Sequence, residues 1–260
     1  VPELIEVEYY RRLAERALDR TIAAVDAPDA WFLKRGLVAE AVTDALLGRT
    51  FTAARRIGKL LLLDVDDGSV LGLRFGMTGR LVVDDVAGID ELEYSSARRE
   101  PAWDRFCVAF EDGGHLRVND ARRLGGVELD PDESRLGHDA VSITPSQLRA
   151  ALDRSTAPLK ARLMDQQRIA GLGNLVIDEV LWRAGLDPAR PAGSLDAREQ
   201  ARLHRHLRRT VEDLLITGGS HTGRLQPARV RGGTCPKDGT PLLRRTIGGR
   251  TTYSCPVHQH

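Results

Sequence analysis

Two groups of residues in this chain have types and spacings that support chemistry. The first is Pro2-Glu3-Leu4-Ile5-Glu6. A free amine on a proline ring is a secondary amine, and α-amino groups titrate near ~7.7–8.0, so at neutrality a useful fraction can attack a carbonyl-like carbon and form an imine. That requires removal of Val1, because an acylated proline nitrogen is an amide with neither a nucleophilic lone pair nor an N–H. Val1 is read here as a GUG start codon, installed as methionine and cleaved because proline follows. Glu3 and Glu6 can shuttle protons or orient a substrate beside such an amine. A structural reading also fits: proline is tolerated at the first position of a helix, and the helix dipole favours acids there. The second group is Cys235-x2-Asp238-x16-Cys255-x2-His258. Each of these residue types is a competent zinc ligand. Asp238-Gly239 is equally an ordinary turn.

The chain must be large enough to position such groups, and 260 residues allow one large domain or two modest ones. No run of about 18 apolar residues and no signal-peptide pattern is present, and three cysteines cannot build a disulfide framework. Cys107 sits in an apolar strand pattern, Phe106 to Phe110. A reducing cytoplasm is the expected compartment, with no membrane association. Net charge is only +1, but residues 201–260 carry eleven Lys/Arg against three Asp/Glu, while residues 1–200 carry 27 against 34. This asymmetry points the C-terminal end at a polyanion or leaves it a solvated basic surface.

Val7, Tyr10, Leu13, Ala14, Ala17 and Leu18 recur at helical spacing after the N-terminal carboxylates. The pattern is mixed over 31–47 and then becomes β. A strand from Lys59 to Val65 reaches the Asp67-Gly68 turn and returns from Val70 to Phe75. Leu81–Val83, Arg105–Phe110 and His115–Val118 add further strands, so a β-sandwich flanked by helices is expected over 1–130. Lys59, after Gly58, stands at a sheet edge, where a lysine is also a common guard against edge pairing. The polar stretch Asp130 to Ser134 opens a linker placed at 131–143. Thr144-Pro145-Ser146-Gln147 has the form of a capping box and starts a helical domain over 144–220. Its helices are read as Thr144–Arg154, Pro158–Gln167, Asn174–Ala184 with Gly185 as the stop, and Leu195–Thr217 ending at Gly218-Gly219. The last has Leu203, Leu207, Val211, Leu214 and Leu215 on one face and Arg and His on the other. Gly171-Leu172-Gly173-Asn174, directly before a helix, lets backbone approach an anion with free N–H groups at the positive helix end. Residues 221–260 form the tail that carries the Cys/Asp/Cys/His set.

Taken in order, the Pro2–Glu8 stretch, Lys59, Phe75-Gly76-Met77-Thr78-Gly79, Gly171-Leu172-Gly173-Asn174 and the Cys235–His258 tail resemble the formamidopyrimidine-DNA glycosylase and endonuclease VIII family over essentially the whole chain. The resemblance implies an α+β multidomain fold. An N-terminal two-layered β-sandwich would be followed by a helix-two-turns-helix domain and a zinc-finger-like β-hairpin. It implies a bifunctional DNA glycosylase and abasic-site lyase, with Pro2 as nucleophile, Glu3 in proton transfer and Glu6 supporting the site. Lys59, Asn174 and Arg250 would hold phosphates, and Lys160 would belong to the same DNA-binding element. Met77, Arg122 and Leu124 would fill the gap left by a flipped nucleotide, with Leu124 in place of the family's usual phenylalanine and Ala121 in place of a proline. One structural Zn2+ would sit on Cys235, Asp238, Cys255 and His258, where the family pattern is four cysteines.

The implied partner is double-stranded DNA containing damaged bases or abasic sites, met by a monomer in the cytoplasm at the nucleoid. The rival reading is a non-catalytic binder of damaged or distorted DNA on the same scaffold; Pro2 and Glu3 argue against it, since phosphate binding needs neither. Gly219–Thr234 is too short for both the finger's first strand and a lid over an extruded purine. Abasic sites and oxidised pyrimidines are therefore expected to be favoured over 8-oxoguanine.

Overall fold

Apolar residues two apart in the first half of the chain build antiparallel sheets that bury one face. The computed structural model describes residues 2–89, 92, 98 and 100–260, so the expectation about Val1 lies outside the described residues. Two compact units emerge. One holds Pro2 with Glu6–Glu133, and the other holds Glu3–Ile5 with Ser134–His260.

The first unit takes most of α1 (Leu4–Ala14), then β1 (Ile22–Asp26), α2 (Ala39–Leu46), β2 (Phe51–Ile57), β3 (Leu60–Val65), β4 (Val70–Arg74), β5 (Arg80–Val83), β6 (Val86–Ala87), β7 (Asp104–Phe110), β8 (His115–Asn119) and β9 (Gly126–Leu129). One sheet has the order β2-β3-β4-β9 and the other β1-β7-β8-β5-β6. Leu61, Leu63 and Val65 of β3, Leu71 and Leu73 of β4, Phe106, Val108 and Phe110 of β7, and Leu116 and Val118 of β8 share one core. Val7, Tyr10, Leu13 and Ala14 of α1 join it. Each large apolar side chain so buried contributes about 1.5–3 kcal/mol. This is the two-layered sandwich with flanking helices that the sequence leads one to expect.

Four strands of the sandwich escape the sequence pattern, and all lie at sheet edges: β1, β2, β6 and β9. Edge strands carry polar residues that blur the alternation. In β2, Arg55 binds Asp64 at 2.7 Å and Glu133 at 2.9 Å, and Arg56 binds Glu8 at 3.2 Å. Lys59 does not begin β3. It is the second residue of the two-residue turn Gly58-Lys59 between paired Ile57 and Leu60, and Gly58 has the positive φ (59°) that such turns need.

The second unit runs through β10 (His138–Asp139), α3 (Pro145–Leu152), α4 (Leu159–Met164), β11 (Ile169–Ala170), α5 (Asn174–Ala184), α6 (Ala197–Thr217), β12 (Leu243–Ile247) and β13 (Arg250–Ser254). The Thr144/Gln147 capping box forms in both directions, and Gly185 (φ 66°) and Gly218 (φ 100°) end their helices in the left-handed region. Helix α4 stops at Met164, earlier than expected, because Gln166 leaves the helix to organise the loop ahead. Its amide donates to Met164 O and Leu172 O and accepts from Gly171 N–H, all at 2.8–2.9 Å. Residues 131–143 hold a short 3-10 turn, Glu133–Arg135, and β10, which pairs in parallel with β11. The finger hairpin lies wholly after Cys235, as β12 and β13, so Gly219–Thr234 contains no strand, contrary to expectation. Among the described residues, no helix is long and apolar enough to cross a membrane.

Candidate active site and DNA interface

Glu3 is fully buried, and its carboxylate sits at the first turn of α5. Leu175 N–H donates to Oε1 at 2.8 Å and Val176 N–H to Oε2 at 3.2 Å. The helix-start donors expected to face an external anion are thus taken by the protein's own carboxylate, a favourable place for a negative group. Leu4 N–H donates to Gly171 O at 3.1 Å, which ties the chain one residue further on. The seat exists because residue 173 is glycine: a Cβ there would lie 2.3 Å from Glu3 Cδ and 2.5 Å from Oε1. Pro2, one peptide bond before this anchor, is buried. Asn174 opens α5 half-buried, and its side-chain oxygen has no hydrogen-bond partner among the described residues.

In the first unit Glu6 is buried one helical turn before Tyr10, whose hydroxyl donates to Gly79 O at 3.1 Å. Burial, and then the Glu6 carboxylate, push the Tyr10 phenol up, so it stays a hydrogen-bond donor. Gly79 ends the loop that bears Met77, and this loop is locked to residues 121–125 by one buried carboxylate. Asp120 accepts from Thr78 Oγ1 at 2.5 Å, Arg122 N–H at 3.1 Å and Gly125 N–H at 2.8 Å. The two loops touch: at Gly76 (φ 55°) a Cβ would stand 2.4 Å from Leu124 C. Arg123 is left-handed (φ 57°) and is gripped by buried Asp29, which takes its Nε and Nη2 at 2.6 Å each. Leu124 is 51% exposed at the crest, Arg122 is exposed beside it, and Met77 is half-buried. Lys59 is half-buried in its turn, which Arg56 braces by donating to Gly58 O at 2.8 Å.

Arg250 is exposed at the start of β13, next to the Gly248-Gly249 tip. At the other end of the hairpin, one ligand atom from each of Cys235, Asp238, Cys255 and His258 lies within 4.8 Å of the others. Cys235 Sγ is 3.5 Å from His258 Nδ1, Cys255 Sγ is 3.3 Å from Asp238 Oδ2, and His258 Nδ1 is 3.1 Å from that oxygen. Zinc bonds of ~2.0–2.3 Å give tetrahedral edges of roughly 3.4–3.8 Å, so the set fits a four-coordinate ion with small adjustment. The supporting contacts fit as well. His258 Nε2 is 3.1 Å from Trp182 O, which leaves Nδ1 to ligate, and Cys235 Sγ accepts from Trp182 Nε1 at 3.3 Å and Lys237 N–H at 3.4 Å. The Thr240 N–H holds the Asp238 carboxyl well below the usual carboxylate range, in the ionised form that a metal takes.

Residues 1–127 match the formamidopyrimidine-DNA glycosylase N-terminal domain, and residues 136–225 match the formamidopyrimidine-DNA glycosylase H2TH domain. The chain belongs to the formamidopyrimidine-DNA glycosylase family. Membership makes it a DNA glycosylase of base-excision repair. It is 35% identical to the formamidopyrimidine-DNA glycosylase of Paracoccus denitrificans and 32% identical to that of Chloroflexus aggregans. Both alignments cover 100% of this chain, with 100% and 98% of the relatives. Among solved structures it superposes on the Lactococcus lactis glycosylase in complex with abasic-site DNA, with TM-score 0.83, 26% identity and full coverage of both chains. A complex of the same protein with THF-DNA and an inhibitor gives TM-score 0.84.

Within this glycosylase, Lys160 needs correction as a DNA-binding residue. It is fully buried, and its three ammonium protons are spent on Asp178 Oδ1 (2.6 Å), Thr252 Oγ1 (2.8 Å) and Thr251 O (3.3 Å). Burial pushes its pKa down and the Asp178 carboxylate opposes that shift. The other oxygen of Asp178 accepts from Arg229 Nη2 at 3.0 Å and Tyr253 N–H at 3.4 Å. Lys160 and Asp178 therefore pin β13, and with it Arg250, to α4 and α5. Neighbouring Glu179 holds the segment after α6, accepting from Leu225 N–H at 2.8 Å with Gly223 packed against it. Asp120 and Asp29 are site residues that the sequence does not single out, and Gly173, expected to make room for an external anion, makes room for Glu3 instead. The signal for Asp120 was its place beside Arg122 in an otherwise flexible-looking loop; for Gly173 it was a glycine opening a helix.

Proposed function

We propose that this protein excises oxidised bases through a Schiff base on Pro2 and then cleaves the abasic site. With Val1 removed, the Pro2 nitrogen attacks C1′ of a flipped nucleotide; the C1′–N bond forms as the glycosidic bond breaks and the base leaves, taking up a proton, and Glu3 then delivers a proton to the ring oxygen O4′ as the C1′–O4′ bond opens to give the iminium. The iminium acidifies C2′, and loss of that proton expels the 3′ phosphate; a second elimination releases the 5′ phosphate. Glu6 supports the site from α1. Lys59, Asn174 and Arg250 hold backbone phosphates, and Met77, Arg122 and Leu124 occupy the vacated stack. The observation that carries this reading is Glu3 seated on the Leu175 and Val176 N–H groups, one peptide bond from Pro2. Borohydride trapping on abasic-site DNA tests it. Protein beginning at Pro2 should give a covalent adduct, and an undiminished adduct from protein that demonstrably retains residue 1 would overturn it.

Abasic sites and oxidised pyrimidines are the proposed preferred substrates, with weak action on 8-oxoguanine opposite cytosine. Although Gly219–Thr234 spends nothing on a strand, most of it is tied down: Leu225 is buried on Glu179, and Arg229 is bound to Asp178. Only residues 230–234 remain before Cys235, too few to fold over a purine edge. Solved relatives hold Fapy-dG DNA, so that lesion belongs in the same panel. Single-turnover rates on duplexes with an abasic site, thymine glycol, formamidopyrimidine or 8-oxoguanine opposite cytosine should place 8-oxoguanine last. Fastest excision of 8-oxoguanine would sink the missing-lid argument.

One structural zinc per chain is proposed for the finger, held by Cys235, Asp238, Cys255 and His258. Chelation, or Asp238→Ala, should release the metal, loosen β12 and β13 and weaken DNA binding about tenfold or more, since small metal modules draw much of their folding free energy from the ion. Metal analysis of purified protein showing no zinc, with the hairpin still protected from proteolysis, would rule this out.

A further inference from the structure

The arginine-rich face of α6 has no part in the chemistry above, yet it lines an open surface pocket of about 560 Å³ in the second unit. Arg209 and His206 of α6 line it, with Arg183 and Trp182 from the C-terminal end of α5. Arg224 and Lys237 complete the rim. The sole carboxylate on the lining, Asp213, is already engaged by Arg183, which also binds Glu179. Lys237 is held over the Trp182 ring, 4.6 Å from its centroid, with its ammonium 3.0 Å from Trp182 O. Among the described residues neither Arg209 nor Arg224 has an acid partner, whereas Arg208, one position along α6, pairs with Glu212. Burial, then Arg205, Lys237, Arg183 and Arg209, push the His206 imidazole down, toward its neutral form.

The cavity is separate from the proposed catalytic end. It adjoins residues 182 and 183, and Glu3 binds residues 175 and 176, about 11 Å away along the α5 axis at ~1.5 Å per residue. Lys237 lies at the metal-cluster end of the hairpin, the end opposite Arg250. Arg209 and Arg224, without an acid partner among the described residues, line the same pocket and present forked donors that match phosphate or carboxylate oxygens. Concavity decides between them. An acidic peptide spreads its charge along an extended groove, whereas linked phosphates concentrate several charges within one pocket. Trp182 is 3% exposed and capped by Lys237, so little aromatic surface remains for a base.

We propose that this cavity is a second anion site that binds a condensed phosphate chain, either free or as the di- or triphosphate of a nucleotide. Isothermal titration of inorganic triphosphate into the full-length protein tests it, with ATP as a second arm. Wild type should bind at one saturable site. Arg209→Ala with Arg224→Ala should weaken binding at least tenfold, Arg208→Ala should change it less than twofold, and abasic-site cleavage should be unaffected. ATP binding more tightly than triphosphate would identify the nucleotide as the source, and the reverse order would identify the inorganic chain. The double variant also controls for metal stripping, because the finger ligands are intact in it. Absence of saturable binding, equal loss in Arg208→Ala, or tighter binding of an Asp/Glu-rich peptide than of triphosphate would overturn the proposal.

Discussion

Gly173→Ala is expected to leave the protein folded and able to bind abasic-site DNA, yet to slow excision of a damaged base by about 10²-fold or more. The backbone at residue 173 (φ −129°, ψ −169°) is one that alanine adopts freely, so the start of α5 is not strained. The added methyl instead meets Glu3 at 2.3–2.6 Å, and the displaced side chain loses the Leu175 and Val176 N–H groups. Cleavage of a pre-formed abasic site needs no base expelled and should fall much less. Single-turnover rates on thymine glycol and abasic duplexes separate the two steps. An unchanged thymine glycol rate would show that the position of Glu3 is not critical to excision.

The second large effect is expected at Asp120. Asp120→Ala orphans the Thr78 hydroxyl proton and the Gly125 N–H and leaves the Arg122 N–H only its longer bond to Thr78 Oγ1 (3.3 Å), all three having converged on a fully buried carboxylate. A cost of about 3 kcal/mol follows if the Thr78 hydroxyl and the Gly125 N–H stay unsatisfied. Because Met77, Arg122 and Leu124 stand on the two loops that Asp120 joins, duplex substrates should be processed more slowly while single strands are little changed: only a duplex must be wedged open. Asp120→Asn keeps an acceptor and should recover part of both losses. Urea denaturation and paired rates on duplex and single-stranded substrate check this. Stability within 0.5 kcal/mol of wild type, on the scale expected of a neutral surface change, with an unaltered duplex to single-strand ratio, would remove Asp120 from its positioning role.

What was legible in the sequence follows from how local its cause is. Thr144 with Gln147, and the glycines at 185 and 218, mark helix ends through contacts within a few residues, and those ends fall where expected. The central strands β3, β4, β7 and β8 declare themselves by their buried residues. Lys160 was misread because a lysine near a glycine-rich turn has the same one-letter appearance whether it faces a phosphate or Asp178; only burial distinguishes them. Likewise the positive end of α5 looked open to an external anion, because nothing in residues 171–176 announces a carboxylate from residue 3. The finger's first strand was placed too early for a related reason: arginine-rich β12 has little apolar alternation, and three of its five residues are exposed.

The bond from Leu175 to Glu3 spans 172 positions. A chain emerging from a ribosome therefore carries Pro2 and Glu3 into solution long before the groups that seat them have been synthesised. At ~5–20 residues per second, roughly ten to thirty seconds separate the first residue from α5. Once residue 133 has been made the first unit can fold, but Glu3 has no seat until α5 follows. On the proposed mechanism, excision is in this way withheld from nascent chains and from chains that end before α5, with no inhibitor and no modification required.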